Sequence, residues 1–225
     1  MNKHSYGARH SLQKLCFLGT LGLCLLMAGC LGGKSSSPWL EGAEVRTLPL
    51  GIAIAVPAGW QVTNAAEASS LTQEAIATRL AAGERIPLLD MKRVDSKGEQ
   101  TARAFLLLMN SGREFMPEQE AKNLNAEGFA KLGETILRVD KEMAAKNNQQ
   151  SRISEWAVAP TTVDGNFAIG QQGLGAHPRG QLFIHYVDVY LPQSVGLAVR
   201  LIAHKEENGS KETLNAIVQS ITIAK

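Results

Sequence analysis

Beyond position 30 this sequence has no cysteine. Its three, Cys16, Cys24 and Cys30, fall in the first 30 of 225 residues. The remainder can build neither an internal disulfide nor a thiolate zinc site. A strong charge of either sign is missing as well. Lys3, Arg9 and Lys14 precede position 30 and no acid does, so 20 of the 23 basic residues remain against 21 acidic ones. A near-neutral body lacks the electrostatic footprint of a nucleic-acid binder. No run of Lys and Arg suggests a polybasic membrane patch. There is no G-x-S-x-G elbow, and no cysteine nucleophile outside the first 30 residues. His177, His185 and His204 never stand at the i, i+4 spacing of a helical zinc site. No apolar run approaches the roughly 20 residues that a membrane-crossing helix needs. No internal repeat of solenoid-like period is present.

What is there begins with a leader. Three basic residues in the first 14 are followed by an uncharged stretch, LCFLGTLGLCLLMA, from Leu15 to Ala28. A basic segment and an apolar core of about 7–15 residues form the layout of a secretory signal. The core stops at Met27-Ala28-Gly29-Cys30, which resembles the lipobox of bacterial lipoproteins, with Met27 where an aliphatic residue is usual. The resemblance implies cleavage before Cys30, a diacylglyceryl thioether on its sulfur, and N-acylation (palmitate or a similar chain) of the new amine. Residues 1–29 are then a signal peptide, and the bilayer is a partner through acylated Cys30. Two acyl chains supply the two signals that stable anchoring requires. Leu31 follows the cysteine where inner-membrane lipoproteins often carry Asp. Similarity to that sorting rule favours the outer membrane, facing the periplasm, in a Gram-negative cell. Residues 30–42, ending LGGKSSSPWLEG, have the Gly, Ser and Pro content of a flexible tether.

Residues 43–225 have the size of one domain. Val45–Val56 alternates, with Leu48, Leu50, Ile52, Ile54 and Val56 on one face, and reads as a strand. Pro57-Ala58-Gly59-Trp60 turns the chain. Ser70 and Gln73 fit a capping box opening a helix over 71–82, with Leu71, Ala75, Ile76 and Leu80 inward and Gly83 ending it. Two strands, 88–94 and 102–110, flank an Asp95-Ser96-Lys97-Gly98 turn. From Pro117 the longest helical pattern runs to about 146, with Ala121, Leu124, Gly128, Leu132, Ile136, Val139 and Met143 on its apolar side. Gly128 and Gly133 each cost about 1 kcal/mol in a helix. Either they allow close packing on a sheet or the helix breaks near Gly133. Strands over 152–163, 167–171, 181–191 and 195–204 follow, and a helix over 210–220 capped by Ser210 closes the pattern. Strands in runs with helices segregated between them predict an α+β fold.

The opening strand running into Pro57-Ala58-Gly59-Trp60, the strand pairs around a long helix and the closing LNAIVQSITI segment (214–223) are similar to the Mog1/PsbP-like group, which includes many small bacterial lipoproteins. The resemblance implies an antiparallel β-sheet with helices packed on both faces, an αβα sandwich. It implies little about activity, because fold does not fix function.

The candidate sites are few. Gly165–Gly180, GNFAIGQQGLGAHPRG, holds five glycines and reads as a long hairpin loop beyond a short strand. Its Gly173-Leu174-Gly175 lacks the third glycine and the following helix of a phosphate-binding turn. Loops on rigid scaffolds carry recognition, so Trp60, Gly173, Gly175 and His177 form the candidate binding surface. His185 shares a strand face with Phe183, Val187 and Val189, whereas Asp188 lies on the opposite face and cannot orient it. No catalytic residue, metal site or cofactor is expected. The leading expectation is a non-enzymatic binding or assembly factor acting through an envelope protein partner, without nucleic acid. Second is a small-ligand or metal-binding lipoprotein with its site near residues 165–180, and an enzyme comes third.

Overall fold

A computed structural model describes residues 37–64, 70–147, 151–205 and 209–224; the leader and Cys30 lie outside them. Among the described residues no helix is long and apolar enough to cross a membrane.

The expected first strand is a hairpin. β1 (Glu44–Thr47) and β2 (Ile52–Val56) pair antiparallel, Glu44 opposite Val56 and Thr47 opposite Ala53. Between them Pro49–Gly51 forms a 3₁₀ turn in which Leu50 (φ 61°) and Gly51 (φ 66°) take left-handed backbone. Alternation survives in β2, where Ile52, Ile54 and Val56 are buried, so the periodicity was a fair guide to burial but carried no mark of the reversal. Gly59 (φ 79°) completes the next turn, the Trp60 amide donating to the Pro57 carbonyl at 3.1 Å.

β3 (Trp60–Asn64), β4 (Ile86–Val94), β5 (Gln100–Asn110), β6 (Ile153–Val163), β7 (Asn166–His177), β8 (Gly180–Leu191) and β9 (Val195–His204) build a seven-stranded sheet in the order β3-β4-β5-β9-β8-β7-β6. Every pairing is antiparallel. The short β10 (Thr222–Ile223) joins β2 and β1 in a separate three-stranded sheet. The fold is α+β.

Register assigns each strand's alternate residues to two faces. Val62, Met91, Ala104, Leu201, His185, Gln172 and Ala157 lie in one cross-strand row. That face carries the larger core, with Leu106, Val187 and Val199, and is covered by β2, by α1 (Gln73–Ala81) and by α5 (Ser210–Ser220). The opposite face carries Val158, Ile169 and Tyr190. It packs under α3 (Glu118–Asn123) and α4 (Ala126–Lys146), which follow the single turn α2 (Ser111–Glu114).

Three helix expectations need correction. α1 is capped by Thr72, whose hydroxyl accepts from the Ala75 amide at 3.2 Å, not by a box at Ser70. The long pattern is interrupted at Leu124, where Asn125 turns to cap α4 by accepting from the Gly128 amide at 2.9 Å. An Asn whose side chain can replace the missing backbone partner breaks a helix more readily than Gly133 does. Gly133 instead packs closely: a Cβ there would stand 3.2 Å from the Trp156 carbonyl oxygen. α5 starts as expected, but its N-cap is Gly209 (φ 73°), Ser210 being the first helical residue. The Trp39 ring lies directly on Gly209, so Pro38–Leu40, a 3₁₀ turn, rests against the start of α5.

Candidate functional site

The glycine-rich segment is a strand. β7 pairs along its length with β6 and β8, from Asn166 to His177. Glycines usually weaken strands, but here neighbouring groups occupy the missing side-chain space. A Cβ on Gly173 would meet the Glu155 carbonyl and the Trp156 ring, and one on Gly175 would press on Ile184. Both glycines therefore serve packing between strands. Composition alone signalled a loop, because it cannot show what an adjacent strand will place over each glycine.

The structure does not gather the four expected binding residues. Trp60 opens β3, at the far edge of the sheet from β7. Five strand spacings of about 4.8 Å separate them, roughly 24 Å. His177 ends β7, and its Nδ1 accepts from the Arg179 amide at 3.2 Å. Its ring meets His204 edge-on with centroids 4.8 Å apart, a pairing that sequence distance concealed. Burial, then the neighbouring His204 and Arg179, hold the His177 pKa below its ordinary value. Among the described residues no three His, Cys, Asp or Glu side chains come together as a metal site.

The structure instead brings together residues around His185. α5 leaves the outer part of its sheet face uncovered, and a cavity of about 430 Å³ lies between the helix and strands β6 to β8. This falls in the usual range of small-molecule sites, about 300–1,000 Å³. Leu174 and Phe183, directly paired on β7 and β8, present apolar side chains from the strands, and Leu214 adds another from α5. Glu155, Gln172 and His185 supply polar groups from the strands; Lys211 and Asn215, one helical turn apart, face them from α5. The Gln172 amide nitrogen stands 3.3 Å from His185 Nε2. His185 Nδ1 is buried and has no hydrogen-bond partner among the described residues. As the sequence predicts, Asp188 lies on the other face, bound to Arg200 and Gln171. The position of His185 beside Phe183 on one strand face was legible; the helix residues opposite were not, since nothing in sequence set α5 over this strand.

Burial is the chief cause that lowers the His185 pKa; Asn215 opposes it and the Lys211 ammonium reinforces it. A histidine whose folded pKa lies below its ordinary 6.5 stabilises the fold fully above that value. The contribution is lost as pH falls from there through the folded pKa. The unfolding free energy read from urea titrations is therefore expected to fall between pH 7.5 and 5.5, by no more than about 1.4 kcal/mol per pH unit for this one group. His185→Gln should flatten that slope without abolishing it, because His177 titrates in the same sense. An unchanged slope in the variant would refute the assignment.

No family model matches the chain, and no curated protein sequence matches it. Solved structures do show likeness. Cyanobacterial PsbP (CyanoP) from Synechocystis sp. PCC 6803 is similar at 10% identity with a TM-score of 0.48, over 88% of this chain and 99% of that one. LpqN, described as involved in cell envelope biogenesis of Mycobacterium tuberculosis, is similar at 13% identity with a TM-score of 0.43, over 83% and 95%. A protein of Bacteroides thetaiotaomicron is similar at 7% identity with a TM-score of 0.37, over 77% and 45%.

Proposed function

We propose that this chain is a lipid-anchored, non-enzymatic binding protein of the bacterial cell envelope, holding a small organic ligand in the cavity beneath α5. The cavity itself carries the reading. A concave space with apolar side chains and a few converging polar groups is the usual form of a ligand site, and Gln172, His185, Lys211 and Asn215 converge here around Leu174, Phe183 and Leu214. The signal layout and the lipobox-like Met27-Ala28-Gly29-Cys30 support the anchor and the envelope location.

Ala157 lines the cavity from the edge strand β6 and is exposed, so a larger side chain there fills the space without touching the core. Native mass spectrometry of the protein purified from its own cells should show a one-to-one adduct of non-protein mass. Ala157→Trp, with unchanged circular dichroism, should lose it. Adduct retained in the variant, or none in either form, would defeat the reading.

A second reading, a protein-binding envelope assembly factor, draws support from α4. Val139 and Met143, one turn apart, are 45% and 51% exposed, so the helix's apolar stripe continues past the part that the sheet buries. Crosslinking in intact cells, with Cys30→Ala alongside, distinguishes it by a stoichiometric partner lost without the anchor.

A further inference from the structure

Lys211 is an unusual residue to find where it is. It is the second residue of α5, where the helix dipole favours an acid and disfavours a cation. It has no ion-pair or hydrogen-bond partner among the described residues, although nine other basic side chains there are paired. A cation at this end of a helix, with no partner among the described residues, gains nothing from the helix dipole. It does line the cavity, close enough to His185 to disfavour the charging of that imidazole. Lys205 lines the same space, its Nζ donating to the Gln181 amide oxygen at 3.0 Å. Against these two cations stands one acid among the described lining residues, Glu155, on the edge strand. Among the described residues that line the cavity, one positive charge is thus left over. Leu174, Phe183 and Leu214 meanwhile offer it apolar surface.

Charge and apolar surface together specify a ligand class. We infer that the cavity takes an amphiphile with one anionic head and an apolar tail, the head against Lys211 and the tail against Leu174, Phe183 and Leu214. The inference rests on the cavity being the ligand site. Its volume equals that of about 14 water molecules at roughly 30 Å³ each, which matches a medium-chain carboxylate. A soluble anion without a tail would leave the apolar side chains wet, and a neutral tail would leave Lys211 unpaired.

The test uses residues 31–225, which contain the complete compact unit Ser37–Lys225. Dodecanoate below its micellar concentration is titrated calorimetrically, beside dodecanol of equal length and acetate as the head alone. One dodecanoate per chain is expected, with dodecanol about tenfold weaker and acetate undetected, the weight of one charge-assisted contact. Lys211→Gln should weaken dodecanoate about tenfold and leave dodecanol unchanged. Ala157→Trp should abolish both. Equal binding of dodecanol and dodecanoate, or a Lys211→Gln variant that binds as the parent does, overturns head recognition. Dodecanoate still bound by Ala157→Trp is adsorption elsewhere and overturns the site. If dodecanoate does not bind while the cellular adduct persists and Ala157→Trp removes it, the ligand class is wrong and the cavity reading stands.

Discussion

Asp188→Ala should lower the stability of the fold by about 3–5 kcal/mol, the cost of breaking a buried ion pair from one side. Asp188 lies on β8 beneath the side of the sheet that α3 and α4 cover, its side chain 13% exposed. One carboxylate oxygen accepts from Arg200 at 2.5 Å and the other from the Gln171 amide at 2.9 Å. The guanidinium also donates to the Val187 and Val199 carbonyls and sits 5.0 Å from the Tyr186 ring. Removing the carboxylate leaves that cation, 26% exposed, with no counter-charge while the same walls still confine it. Replacing both partners, Asp188→Leu with Arg200→Met, should recover most of the loss, because an apolar pair of similar volume strands no charge. Urea unfolding of the two variants reads both effects. A loss below about 1 kcal/mol in the single variant would mean that the pair behaves as a surface contact.

Leu201→Ala should cost about 4 kcal/mol, in the upper part of the range for buried leucines. Such losses grow with the cavity that remains after relaxation. Leu201 is fully buried on β9, between Ala104 of β5 and His185 of β8. Hydrogen-bonded strands on both sides keep their spacing, so the gap cannot close by a shift of one element. Leu201→Met conserves volume and should cost under about 1.5 kcal/mol. The difference between the two variants in urea midpoint, with equal slopes, measures the void itself. Similar losses for both would point to lost side-chain shape instead.

Patterns that depend on a residue's own chain neighbours were readable. α5 appears over the predicted 210–220, and Gly83, at φ 84°, stops α1 where expected. The closely linked strands 181–191 and 195–204 pair antiparallel as β8 and β9. Features outside the hydrophobic period were not readable, whether set by a local side-chain bond or by contacts distant in sequence. Thr72 outcompetes Ser70 as a cap, and Asn125 divides a continuous apolar stripe, because a side chain can bond an amide three residues on without altering hydrophobic period. Gly173 and Gly175 looked like loop residues until Trp156 and Ile184 filled their places. The cavity shows the same division. His185 and Phe183 could be put on one strand face from alternation, but Lys211 and Asn215 reach them only because α5 crosses β8 and β9.

The contact between Trp39 and Gly209 makes the entrance of the chain mechanically specific. Tension arriving from residue 37 meets Pro38–Leu40 first, and the indole bears on the backbone immediately before α5. The strands under the cavity are tied along their lengths to one another, whereas the helix over it is held chiefly by Leu214, Ile217 and their packing. A pull on this end of the protein is therefore transmitted to the roof of the cavity before its floor.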